Sequence, residues 1–152
     1  ILDGTLRHIY SNAPTGDTRP LRDSFKFIRN TLVDLGEDEF TVGRAHPMID
    51  YSLRNKMILE QAADPDVSVL LLDVVLGHGA NLDPAGELVP VIKKAARQVF
   101  VVVGVTGTTG DPQNRAQVVE ALREAGAHVQ LANAPATKLA GCIAAQVARL
   151  NR

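Results

Sequence analysis

A chain of 152 residues, 45% apolar, 22% charged and 4% aromatic, has the length and composition of one globular domain able to bury its own core. Sixteen Lys and Arg against 17 Asp and Glu leave a net charge of −1, which offers no basic field to a polyanion and argues against a nucleic-acid partner. The lone Cys142 excludes an internal disulfide and a multi-cysteine zinc site and suits a reducing, cytoplasmic setting, while every apolar run is far short of the roughly 20 residues that span a bilayer.

The chain opens at Ile1 rather than Met, and nothing at its start reads as a signal peptide, so a part of a longer polypeptide is expected. Residues 1–24 read as an irregular segment, in which Gly4-Thr5-Leu6 is the remnant of a strand-to-helix turn. Residues 11–20 (SNAPTGDTRP), with two prolines, a glycine and no apolar run, predict a loop. Residues 25–35 predict a strand with Phe27, Thr31 and Val33 on one side.

A polar connection follows at 35–51 (LGEDEFTVGRAHPMIDY), carrying Glu37, Asp38, Glu39, Arg44, His46 and Asp50. If strand 25–35 runs parallel to the later strands, this connection emerges at the edge where they also end. Pro47 holds His46 extended, able to project into a cleft. Ser52 is placed to cap a helix over 53–63, with Leu53, Met57 and Ile58 facing inward.

The rest of the chain alternates in type. Residues 67–75 (VSVLLLDVV) and 99–105 (VFVVVGV) are continuous β-branched runs, the pattern of parallel strands buried on both faces, and 127–131 predicts a third. Leu88, Val91, Ile92 and Ala95 recur at helical spacing, as do Val118, Ala121, Leu122 and Ala125. Leu139, Ile143 and Val147 make a last stripe, widened by Ala136, Ala140 and Ala144, on which Cys142 reads as a small core residue. Strand, helix, strand, helix at this spacing implies right-handed crossovers and an open α/β sheet.

Two loops are built alike. The first strand runs into Leu76-Gly77-His78-Gly79-Ala80-Asn81-Leu82-Asp83-Pro84, the second into Thr106-Gly107-Thr108-Thr109-Gly110-Asp111-Pro112, and a helix follows each. In both, Asp-Pro stands where a helix is expected to start, with Asp accepting from first-turn amides and Pro at the first helical position. Glycines let backbone N–H groups approach a ligand, and helix N-termini favour an anion. Glycine-rich turns also arise simply because connections are short, but two at neighbouring strand ends point to a shared site, where open α/β sheets bind ligands. Neither loop is a P-loop, and position 82 is Leu where a dinucleotide fingerprint needs its third Gly.

Gly77, Gly79, Thr106, Gly107, Thr108 and Asp111, with Gln113 beside them, form the candidate cradle for a phosphate or carboxylate. His78 or His46 is the candidate hydrogen-bond donor or general acid toward a reacting carbonyl, Arg44 would neutralise substrate charge, and Asp50 and Asp38 would orient these groups. His46, Asp50, Asp73 and His78 show no metal-ligand spacing, so no metal is expected. No serine sits in a nucleophile elbow.

The strings GEDEFTVGRAHPMID, LLDVVLGHGANLDPAGELVPVIKKA, VVGVTGTTGDPQNRAQ and LREAGAHVQLANAPATKLA resemble the FdrA-type family, related to the α subunit of succinyl-CoA synthetase and other NDP-forming acyl-CoA synthetases. The resemblance implies a flavodoxin-like, three-layer α/β/α domain with a mostly parallel sheet over 25–152, with Gly4-Thr5-Leu6 as the glycine-rich turn of its first strand. In the synthetases a G-E-I-G-G loop stands where this chain has 73–79. Their phosphate-carrying histidine lies in a G-H-A-G-A stretch, whereas residues 108–117 here hold no histidine and His78 belongs to the other loop.

The resemblance therefore implies a small anionic acyl or carbamoyl phosphate as substrate, with Arg44 and Arg115 as charge-assisted donors and no phosphohistidine relay by the usual route. It implies CoA and phosphate, or a nucleotide, as co-reactants of the full-length protein, and a partner subunit or a homo-oligomer. It links the chain to carbamoyl transfer between oxalurate-like substrates and phosphate. The rival expectation is an assembly or regulatory domain whose partner brings the chemistry, docking through the alanine-rich helix at 135–150 or the connection at 37–50.

Overall fold

Residues 67–75 and 99–105 are apolar on both faces, and in the computed structural model, which describes residues 2–150, they become adjacent parallel strands. These are β4 (Val69–Val75) and β5 (Phe100–Thr106), paired from Val69↔Phe100 to Val75↔Thr106. The third expected strand is β6 (His128–Gln130), parallel to β5, giving the order β4-β5-β6. Helices α2 (Ser52–Ala62), α3 (Pro84–Ala95) and α4 (Arg115–Glu124) bury Ile58, Leu88, Ile92, Val118 and Leu122 against Val101, Val103 and Val105. Helix α5 (Asn133–Leu150) packs Ala136 and Ala140 on Val102, with Val69 and Leu71 beside them. The two core clusters lie on opposite faces of β5, so the chain is an α/β/α sandwich of three layers. Gly104 permits the close approach of α5: a Cβ there would sit 3.3 Å from Ala136 Cβ and 3.6 Å from Ala132 O.

The first third departs from expectation. A 3-10 turn (Leu2–Gly4) leads to β1 (Ile9–Ser11), which pairs in parallel with both β2 (Arg19–Pro20) and β3 (Asn30–Leu32) in a second sheet of order β2-β1-β3. The predicted loop at 11–20 is thus bracketed by strand residues at both ends. The predicted strand at 25–35 shrinks to Asn30–Leu32 and joins the second sheet instead of lying beside β4. Its first half turns, because Asp23 accepts from the N–H groups of Phe25 and Lys26, Thr31 Oγ1 accepts from Ile28, and Arg29 adopts a φ of +55°. The Gly4-Thr5-Leu6 remnant begins on the last residue of that 3-10 turn and lies on α5, where Leu2 and Thr5 crowd Gly141. Ile1, Asn151 and Arg152 lie outside the described residues. A short helix α1 (Asp38–Thr41) buries Phe40, with Phe25 edge-on at 5.2 Å.

Three local readings are corrected. Ser52 is not the cap of α2: it is the first helical residue, and its N–H donates to Asp50 Oδ1 at 2.8 Å. Asp83-Pro84 does start α3, with the Asp83 carboxylate accepting from Gly86, but Asp111-Pro112 does not start α4. That helix begins at Arg115, capped by Asn114 at φ +52°, a left-handed conformation that Asn tolerates. Cys142 is exposed, because α5 buries Ala136, Ala140 and Gly141 and the residue after Gly141 is rotated out of that stripe.

Moving the expected strand elsewhere leaves β4 at an edge. The bonds from Phe100 N to Ser68 O and from Leu76 N to Thr106 O show that even-numbered residues of this stretch face β5. The backbone groups of Val69, Leu71, Asp73 and Val75 therefore point outward. Leu70, Leu71 and Leu72 are only half-buried, whereas Val101–Val105 of β5 are buried throughout. No described helix is long and apolar enough to cross a membrane.

Candidate functional site

The carboxyl ends of β4 and β5 release their loops side by side, because the strands are parallel neighbours in register to their last residues. Gln113 joins the loops. The residue is 8% exposed, its Oε1 accepts from Gly77 N at 3.0 Å, and its Nε2 donates to Gly77 O at 2.8 Å and Asn81 O at 2.9 Å. The amide expected to touch substrate is therefore wholly engaged in holding one glycine loop to the other. Gly77 and Gly79 have φ of +135° and +87°, which only glycine adopts without strain.

Asn81 extends the lock to the polar connection. It is buried, its N–H donates to Met48 O at 2.8 Å, and its Nδ2 donates to Ile49 O at 2.8 Å and Glu87 Oε1 at 2.7 Å. Arg54, on the first turn of α2, donates to Pro47 O (3.3 Å) and Asp73 O (3.0 Å) and lies 4.3 Å over the ring of Tyr51. Three successive carbonyls of the connection, at residues 47, 48 and 49, are thus held against the end of β4 and its loop. Tyr51 is fully buried, and its hydroxyl has no hydrogen-bond partner among the described residues. The sequence does not set Asn81, Arg54 or Tyr51 apart. The only signal was an Asn in a glycine loop and an Arg on a helix's first turn, neither distinctive.

The predicted site residues divide into groups. Gly77, Thr106, Gly107, Thr108, Asp111 and Gln113 are brought together. Thr108 N donates to the Asp111 carboxylate, Gly110 N donates to Thr108 Oγ1 at 3.2 Å, and Arg115 Nη1 donates to Gly107 O at 2.7 Å. His78 and Gly79 stand exposed at the tip of the first loop, and their N–H groups find no acceptor among the described residues. Arg44, His46 and Asp50 ride on the connection, all exposed. His46 is turned back on its own segment: Nδ1 accepts from Met48 N at 3.1 Å, and Nε2 lies 2.8 Å from where a Cβ on Gly36 would be. Asp38 starts α1, away from the glycine loops in sequence and bonded to Val42 N only through its carbonyl.

Electrostatics follow burial. The N–H and hydroxyl of Ser52, with Arg44 nearby, hold the Asp50 carboxyl below its ordinary value. Burial pushes the Tyr51 phenol up and the Arg54 guanidinium down, each partly opposed by the other. Burial also raises the Asp73 carboxyl, against the pull of Arg54. A raised folded-state pKa means that ionised Asp73 costs stability at neutral pH, and that this cost disappears as pH falls through the raised value. Asp73→Asn is therefore expected to raise the melting temperature at pH 7 and to lose that gain by pH 4. The effect should be at most about 1 kcal/mol, since solvent screens a partly exposed carboxylate. Thermal melts at the two pH values check it; an equal gain at both would contradict the assignment. Among the described residues, no three His, Cys, Asp or Glu side chains are grouped to hold a metal ion.

Comparison with known proteins places the chain beside a family and a relative. The CoA-ligase family model matches residues 12–143. The uncharacterized protein YahF of Escherichia coli (strain K12) is 36% identical over 125 residues, covering 78% of this chain and 24% of YahF. The chain thus spans about a quarter of that relative's length.

Proposed function

The chain belongs to the CoA-ligase family, and on that premise we propose that it is the CoA-ligase-like domain of an FdrA-type or succinyl-CoA-synthetase-α-like protein. In this reading it binds an acyl or carbamoyl phosphate in the cleft where β4 and β5 end. The observation that carries it is the pairing of two glycine loops at neighbouring parallel strand ends, fixed to each other by Gln113. The free N–H groups of His78 and Gly79 grip the phosphoryl oxygens, and Arg44 approaches from the connection to balance their charge.

Residues 108–117 hold no histidine, so a phosphate oxygen attacks the carbonyl carbon directly, without a phosphoenzyme on that loop, and the bond from that carbon to its leaving group breaks as the leaving group takes a proton from the general acid. His78, exposed between its glycines, serves as general acid to the reacting carbonyl. His46 joins it when a ligand draws the imidazole away from Gly36. CoA, phosphate or a nucleotide enters as co-substrate of the full-length protein. His78→Ala and His46→Ala are each expected to lower phosphate- or CoA-dependent turnover of the full-length protein by about a hundredfold or more. Full activity in both variants would remove the catalytic assignment.

A second reading is favoured by the amides already satisfied inside the cleft, those of Gly77, Thr108 and Gly110. In it the domain is a non-catalytic assembly module that docks to a partner subunit. Calorimetry separates the two: no heat with phosphate or an acyl phosphate, together with co-purification of a partner, selects the module.

A further inference from the structure

Asp111 stands between the two glycine loops as a resident anion. One carboxylate oxygen accepts from Thr108 N and lies 2.8 Å from where a Cβ on Gly107 would be; the other lies 4.0 Å from where a Cβ on Gly77 would be. The first oxygen thus occupies space that only glycine at 107 leaves open, and the second lies at van der Waals distance from the first loop. Among the described residues no cation pairs with this carboxylate, and Arg115, four positions on, is bonded to Gly107 O instead. The second loop has therefore folded around an anion of its own, and the Thr108 amide is taken.

We propose that Asp111 is the specificity-determining residue of the cleft: its carboxylate holds the phosphoryl position of the second loop, and a ligand's phosphoryl group reaches the Thr108 N–H only by displacing it. The proposal rests on the reading of the cleft as a phosphoryl site. It accounts for one difference between two loops of similar make: the second engages the N–H groups of Thr108 and Gly110 with its own side chains, while the first leaves those of His78 and Gly79 free among the described residues. Two anionic groups cannot share one amide in a cleft without a counter-charge, so the carboxylate selects against weakly held anions. An asparagine keeps an acceptor for Thr108 N and removes the charge.

The test pairs calorimetry with inorganic phosphate and hydrogen exchange at the Thr108 amide. Asp111→Asn is expected to bind phosphate at least tenfold more tightly than the unaltered chain. Asp111→Ala is expected to speed Thr108 exchange without ligand. Unchanged exchange in Asp111→Ala overturns the proposal and leaves the phosphoryl reading standing. Equal or weaker phosphate binding by Asp111→Asn overturns it too, making Asp111 a bystander or a ligand contact. Faster exchange with no phosphate bound by any of the three proteins overturns the phosphoryl reading, and the proposal with it.

Discussion

Replacing Gln113 with alanine is expected to lower the unfolding free energy by about 3–5 kcal/mol and to abolish anion binding in the cleft. The side chain makes three hydrogen bonds, to Gly77 N, Gly77 O and Asn81 O, the first two part-buried and the last fully buried. Truncation leaves the Gly77 N–H and the Asn81 carbonyl without partners, Gly77 O keeping its bond from Ala80 N, and each orphaned group costs about 1–3 kcal/mol when it stays buried. Water entering the space left behind would recover part of that, which keeps the total below the simple sum. The conformational consequence reaches further, since Asn81 is the next link toward Met48 and Ile49. Urea denaturation gives the stability change, and hydrogen exchange at Gly77 and across residues 46–50 shows whether the loops have come apart. Gln113→Glu should be no milder. It retains an acceptor for Gly77 N but sets a carboxylate against two carbonyl oxygens. A loss below about 1 kcal/mol in both variants would mean that Gln113 is not the lock.

Leu88→Ala is expected to cost a similar amount, about 2–5 kcal/mol, for a different reason and with a different outcome at the cleft. Leu88 is fully buried on α3, within the cluster that joins α2, α3 and α4 to the inward face of β5. Removing three carbons there forfeits their transfer free energy and leaves a cavity that close-packed neighbours fill only partly. No bond of the Gln113–Asn81 network involves this side chain, so anion binding per folded molecule should stay as it was. The urea midpoint should fall with an unchanged slope, the signature of lost stability without altered compactness. Together the two substitutions separate what keeps the domain folded from what keeps its loops aligned.

How far the sequence predicted this structure depends on how local each determinant is. The runs at 67–75 and 99–105 are legible because parallel strands covered on both faces need apolar residues at successive positions, and their length and wealth of valine separate them from a buried helix segment. The stripe Leu88, Val91, Ile92 and Ala95 is legible for the same reason at helical period, and all four are buried. The alternation Phe27, Thr31, Val33 misled, because a left-handed residue at Arg29 and the turn around Asp23 break the strand, and neither shows in a pattern of hydrophobicity. Gln113 could be noticed but not understood: its partners lie 36 and 32 positions earlier, and an amide beside a glycine loop looks the same whether it faces a ligand or a backbone. Asp111 posed a related difficulty. Asp-Pro before a helix reads as a cap, and only the position of Thr108 shows the carboxylate turned back into its own loop.

The open side of β4 carries a consequence for how this polypeptide behaves in company. A seven-residue stretch that is almost wholly aliphatic, whose outward backbone donors and acceptors apart from the Asp73 carbonyl have no partner among the described residues, is a template onto which another extended segment can zip, and folded proteins usually blunt such borders with charge or cover them. Here the blunting is concentrated at one end, where Arg54 caps the Asp73 carbonyl and the Asp73 carboxylate interrupts the aliphatic run. Neutralising that carboxylate, the very change expected to raise the melting temperature, removes a gatekeeper from this border. Thermal stability and colloidal stability are thereby set in opposition at a single residue.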